Sequence, residues 1–196
     1  MTQLVNQKTL FPLSLVQQAI WFIHHLQPQG LTDKNFWAVA IKSAVDVEAL
    51  KKAGQSLIHR HSILRSTCRD QGQLIQETSE TAELDFQAID ASHWNGEDLS
   101  EKILQEAERP FNLAQGSLLR VSLFSRHATD HILLLTAHQI ASDWESSLIL
   151  ADEFFSLYSN SPLPPVNQSY QDWVQQELDR LNSPEGKTLE TYWKNR

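Results

Sequence analysis

The sequence predicts a mixed α/β or α+β lobe, and three observations carry that prediction. Apolar residues recur at helical spacing in some segments and as alternating or continuous runs in others. The two kinds of segment alternate without the regular crossover spacing of a doubly wound fold. Finally, 196 residues with 41% hydrophobic and 20% charged side chains leave enough apolar surface for a real core, which argues against wholesale disorder.

The first helix is marked by Leu15, Ala19, Phe22 and Leu26, with Pro12 and Ser14 as start signals and Pro28 near its end. A strand is expected within 35–44, whose centre reads Phe-Trp-Ala-Val-Ala-Ile. Asp46 then caps a helix through Leu50, Ala53, Leu57 and Ile58. Strands over 63–69 and 73–77 flank a glycine-containing hairpin loop, Asp70-Gln71-Gly72. A further strand, 84–89, leads through an Asn95-Gly96 turn into a helix over 98–108 that Pro110 halts.

Two long apolar strands, 118–125 and 131–137, follow, joined by Ala128-Thr129-Asp130. Ser142 and Glu145 read as a capping box for a helix reaching Tyr158. After the proline-rich connector 161–165, two more polar helices span 169–181 and 184–195. The expected division is a lobe over 1–165 and a helical segment over 166–196.

Composition narrows the chemistry. The formal charge of −8, from 16 Lys+Arg against 24 Asp+Glu, argues against nucleic acid and anionic membranes as partners. No apolar run approaches the roughly 20 residues of a membrane span, and the N-terminus has no basic-then-apolar leader pattern, so a cytoplasmic location is expected. One cysteine, Cys68, lies in an apolar stretch and reads as a buried, inert thiol.

The eight histidines include the pairs His24-His25, His59 with His61 and His127 with His131. None has a carboxylate or cysteine at ligand spacing, so no metal is expected. There is no Gly-x-Ser-x-Gly elbow and no glycine-rich phosphate loop, so no nucleotide cofactor is expected.

The informative stretch is 136–144, Thr-Ala-His-Gln-Ile-Ala-Ser-Asp-Trp, where an apolar strand gives way to a helix. Junctions of this kind hold polar groups at a rigid, partly open position. Here the sequence resembles the condensation domains of nonribosomal peptide synthetases, within the chloramphenicol-acetyltransferase-like superfamily. Ser14-Leu-Val-Gln17-Gln-Ala19-Ile-Trp21 is similar to that family's first motif, Ser-x-Ala-Gln-x-Arg-Leu-Trp. Arg60-His61-Ser62-Ile-Leu64-Arg65-Ser66 resembles its second, Arg-His-Glu-x-Leu-Arg-Thr. Arg109-Pro110-Phe111-Asn112-Leu113, with Gly116, Leu118, Leu119 and Arg120, looks like the stretch before the catalytic strand. Tyr170 to Trp173 and Tyr192-Trp193-Lys194 look like helices leading toward a second lobe.

The resemblance implies an α+β fold, an α/β sandwich forming one chloramphenicol-acetyltransferase-like lobe with a mixed sheet flanked by helices. It implies no cofactor of the chain's own, the family's substrates riding on phosphopantetheine arms of carrier proteins. In the family's third motif, His-His-x-x-x-Asp-Gly, the second histidine orients or deprotonates the acceptor amine. This sequence aligns His138, Gln139, Asp143 and Trp144 with those four named positions.

Gln139 therefore stands where the catalytic histidine would be, and a carboxamide has no proton-transfer pKa near neutrality. Trp144 replaces glycine with an indole that could narrow the channel. Asp143 is expected to be structural, paired with Arg65, and His138 a satisfied core residue.

The family's two-lobed form needs roughly twice this length, so the chain is expected to supply one lobe and to expose the face between lobes. Two readings follow. One is a non-catalytic condensation-like lobe of a peptide or polyketide assembly line, acting in docking, scaffolding or carrier-protein binding. The alternative is an active amide-forming transferase completed by another copy, another chain or a C-terminal part beyond Arg196. Self-association through the exposed face is expected, and Met1 reads as a true start while Arg196 carries no matching sign. Docking an acidic carrier would require a basic patch drawn from Lys42, Arg60, Arg120 or Arg126.

Overall fold

A computed structural model describes residues 9–27, 33–70 and 72–196. Pro28 and Gln71 lie outside these residues. The elements run β1 (Thr9–Pro12), α1 (Leu15–Leu26), β2 (Lys34–Ile41), α2 (Val47–Arg60), β3 (Ser66–Asp70), β4 (Leu74–Thr78), β5 (Asp85–Asp90), α3 (Gly96–Glu108), β6 (Leu119–His127), β7 (Asp130–His138), α4 (Trp144–Tyr158), α5 (Tyr170–Asn182) and α6 (Pro184–Lys194).

The helix starts follow their caps. Ser14 and Gln17 form a reciprocal capping box on α1, and Asp46 accepts from Ala49 N on α2. Three local expectations are corrected. Residues 62–65 form a short 3-10 turn before β3, because Ser66 Oγ donates to Ser62 O and fixes that tight backbone. Asn95 is the N-cap of α3, which starts at Gly96, since its side chain accepts from Glu97 N and Asp98 N. Asp143, two residues past the end of the 138–141 turn, displaces Ser142 as the cap of α4 by accepting from Ser146 N.

Two sheets form. The larger is mixed, in the order β2-β7-β6-β5, with β5 parallel to β6 and the other pairs antiparallel. The smaller is antiparallel, in the order β1-β4-β3. Alternation along β6 and β7 sends Leu119, Val121, Leu123, Leu133 and Leu135 into a core with Leu50 and Leu57 of α2 and Leu150 and Phe154 of α4. Residues of the other parity, Phe124 and Leu134, pack with Leu99 and Ala107 of α3. Each such buried side chain contributes about 1.5–3 kcal/mol.

That same alternation decides what sits at the strand ends. Arg120 of β6 and Thr136 and His138 of β7 share the parity of Phe124 and Leu134. A third cluster, Leu13, Cys68, Leu113, Leu118 and Ile140, joins the smaller sheet to the loop that follows His138.

Candidate functional site

The loop after β7 is clamped from three sides. Gln139 N donates to Asp33 O at 2.9 Å, Gln17 Nε2 donates to Ile140 O at 2.9 Å, and Asn35 Nδ2 donates to Ser142 O at 2.7 Å. Gln17 Oε1 in turn accepts from Gln76 Nε2 of β4. The capping residues of α1 thus do more than start a helix, since Gln17 ties the smaller sheet to the loop.

His138 is fully buried at the end of β7. Its Nδ1 accepts from Ile140 N at 3.1 Å, and its Nε2 lies 3.2 Å from Asp33 Oδ2. The Asp33 carboxylate is a junction of three groups. Its Oδ1 accepts from Lys34 Nζ at 2.7 Å, and its Oδ2 accepts from His24 Nδ1 at 2.5 Å as well as from His138.

Burial alone would raise the Asp33 pKa. Hydrogen bonds from His138, Lys34 and His24 outweigh it and hold the carboxyl well below the usual carboxylate range. Burial pushes the His138 imidazole downward, only partly opposed by Asp33, so His138 is neutral.

The edge of Phe111 meets the His138 ring, centroids 5.7 Å apart, and Arg120 lies over Phe111 at 4.4 Å. The Arg120 guanidinium is buried, donating to the carbonyls of Glu106, Arg109 and Pro110.

The expected site residues divide. Gln139 is half-buried, and among the described residues its carboxamide makes no hydrogen bond. Trp144 stands 68% exposed on the first turn of α4. Asp143 is exposed and holds Ser146 through both its backbone N–H and its hydroxyl. Those bonds lower its pKa, and Arg65 takes no part.

The expected Asp143–Arg65 pair is therefore corrected: Arg65 donates from Nε to the carbonyl of Ser79 and from Nη1 to those of Ile58 and His59. The ion pair of this region forms one turn earlier in sequence. Arg60 is bidentate on Glu153 of α4 at 3.0 Å, and His61 Nε2 meets the same carboxylate at 2.5 Å.

Two further expectations change. Of the four cations expected to form a basic patch, Arg60 and Arg120 are committed inward, while Lys42 and Arg126 both face Asp130. His24 does gain a carboxylate neighbour, since Asp33 and His138 converge on it from elsewhere in the fold.

That cluster does not fit a metal ion. Ile140 N–H occupies Nδ1 of His138, so the neutral ring carries its proton on Nε2, the atom that would have to bind the ion. Cys68 is buried in β3, and burial pushes its thiol up to about 12. No helix among the described residues is long and apolar enough to cross a membrane.

Gln17 of the first motif bonds Ile140 in the loop of the third, which gives those two motifs a spatial basis, and known proteins agree. The family model for the condensation domain matches residues 7–196. The chain is 31% identical over 197 residues to bacitracin synthase 1 of Bacillus licheniformis, spanning 97% of this chain and 4% of that protein. It is 29% identical over 194 residues to tyrocidine synthase 3 of Brevibacillus parabrevis, spanning 98% and 3%.

Among solved structures, the condensation domain of the monacolin K polyketide synthase superposes with a TM-score of 0.81 at 20% identity, covering 95% of this chain and 42% of that one. The X-domain from teicoplanin biosynthesis gives 0.81 at 24%, covering 100% and 44%. The chain thus spans a few percent of the length of these curated relatives and under half of these solved structures. Its fold is the chloramphenicol-acetyltransferase-like one, and the chain belongs to the condensation-domain family.

Proposed function

We propose that this chain is a condensation-like lobe that performs no proton transfer at the motif position and serves an assembly line by docking against a neighbouring synthetase or synthase domain. The observation that carries this reading is Gln139. The loop around it is held by Asp33, Gln17 and Asn35, so its frame is ordered, yet the side chain there is a carboxamide. General-base catalysis is worth about 10²–10⁴-fold, and an amide cannot supply it.

The interaction side of the reading is supported by apolar surface. Trp144, Leu148 and Ile149 of α4 are exposed together, and an indole in the first turn of α4 offers contact area where the family motif leaves space. Docking is favoured over recognition of an acidic carrier, because the cations best placed by sequence are paired or buried. Phosphopantetheine would reach this chain only on a partner's carrier.

The test is a condensation assay with aminoacyl and acyl carrier substrates. Wild type and Gln139→Ala should give the same background rate, whereas a clear loss in Gln139→Ala refutes the reading. Gln139→His combined with Trp144→Gly, assayed together with a complementary second lobe, tests whether the motif alone accounts for the missing chemistry.

A further inference from the structure

His24 carries a consequence separate from position 139. Its Nδ1 lies 2.5 Å from Asp33 Oδ2, and a carboxylate held below its usual pKa range is an acceptor only, so His24 Nδ1 bears the proton. His138 cannot share that proton. Its Nδ1 accepts from Ile140 N, its own proton sits on Nε2, and that N–H points at the same Asp33 oxygen.

The 3.3 Å approach of His138 Nε2 to His24 Nδ1 is therefore two donors converging on one acceptor. Such convergence is tolerated because Oδ2 has more than one lone pair. With its proton on Nδ1, the uncharged form of the His24 ring presents a bare lone pair at Nε2. Among the described residues no group donates to it.

His24 also lines a cavity of about 590 Å³, with Trp21, Phe111 and Leu113 as apolar walls and Asn112 and Arg69 among its polar lining residues. That volume is within the range of small-molecule sites, roughly 300–1,000 Å³. Lys34 pairs with Asp33, so the carboxylate behind His24 is fixed and charge-balanced. We propose that His24, oriented by Asp33, receives the hydrogen of a hydroxyl- or amino-bearing aromatic or aliphatic small molecule in this cavity. The assignment does not depend on the docking reading.

Phenol and toluene are the probes, since they share size and apolar body and differ in the donor. Imidazole ¹⁵N correlation spectra of the unmodified chain should show His24 protonated on Nδ1, and phenol should shift its Nε2. A net hydrogen bond of about 0.5–1.5 kcal/mol makes phenol bind roughly two- to thirteenfold tighter than toluene. In His24→Phe the two should bind alike.

A His24 protonated on Nε2, equal binding of both probes, or a phenol preference surviving in His24→Phe overturns the assignment. Should His24→Phe fail to fold, Ala114→Trp fills the cavity from its exposed rim, and persistence of the phenol shift there overturns it equally.

Discussion

Asp33 shows how one side chain fixes the pH response of the site. Its carboxyl is depressed in the folded state, so its contribution is complete above the ordinary aspartate value of 3.8 and is lost progressively as pH falls from there toward the lower folded value. His138 is depressed too, from 6.5, because burial opposes its charged form. The unfolded chain then binds its proton first, and stability declines as pH falls below about 6.5. Urea midpoints measured from neutral to acid pH should fall in two stages, and His138→Gln, whose amide can still donate to Asp33, should flatten the first. An unchanged first stage in that variant would contradict the buried neutral imidazole. Neither His24 nor Asp33 was legible as a site residue. They stand nine positions apart at a helix end and a strand entry, and His138 reaches them from 105 positions beyond Asp33. Gln139 and Trp144 stand out only through the family resemblance, which sets an expected residue beside each of them.

Among elements, the α2–α4 contact is tied by chemistry that the second motif only half discloses. Arg60 and His61 end α2 and converge on Glu153, whose carboxyl they keep below its ordinary range against the opposing effect of burial. Glu153→Ala should cost about 1.5–3 kcal/mol, the typical worth of hydrogen bonds to charged groups, and Glu153→Gln less, as read by denaturant midpoint. Equal midpoints for wild type and Glu153→Ala would show the pair to be neutral in effect. Helix positions were readable because caps are local: Ser14, Asp46 and Ser169 each act within three residues. The start of the strand read over 63–69 was not, because Ile63 and Leu64 look strand-like while the Ser66–Ser62 bond that tightens the backbone has no apolar signature. The second sheet escaped for a related reason. Its strand β1 has four residues and pairs with β4 more than sixty positions away.

For the whole molecule, the question is what covers its apolar surface. Leu15, Val16, Phe22, Ile23 and Leu26 of α1 are exposed, as are Trp144, Leu148 and Ile149 of α4 and Tyr192 and Trp193 of α6. Monomeric soluble proteins rarely present contiguous apolar patches beyond a few hundred Å² without an interaction to bury them. Trp144 and Leu148 are one helical turn apart, so they share a face and can be tested as one unit. Sedimentation of the chain alone should show association that grows with concentration. Trp144→Asp with Leu148→Asp should weaken it by about tenfold or more, since each large apolar side chain contributes about 1.5–3 kcal/mol when buried. Both changes lie on the exposed face and spare Leu150 and Phe154, so the fold should hold. A chain that stays monomeric at every concentration would remove self-association. Association unchanged in the double variant would place the contact on α1 or α6 instead.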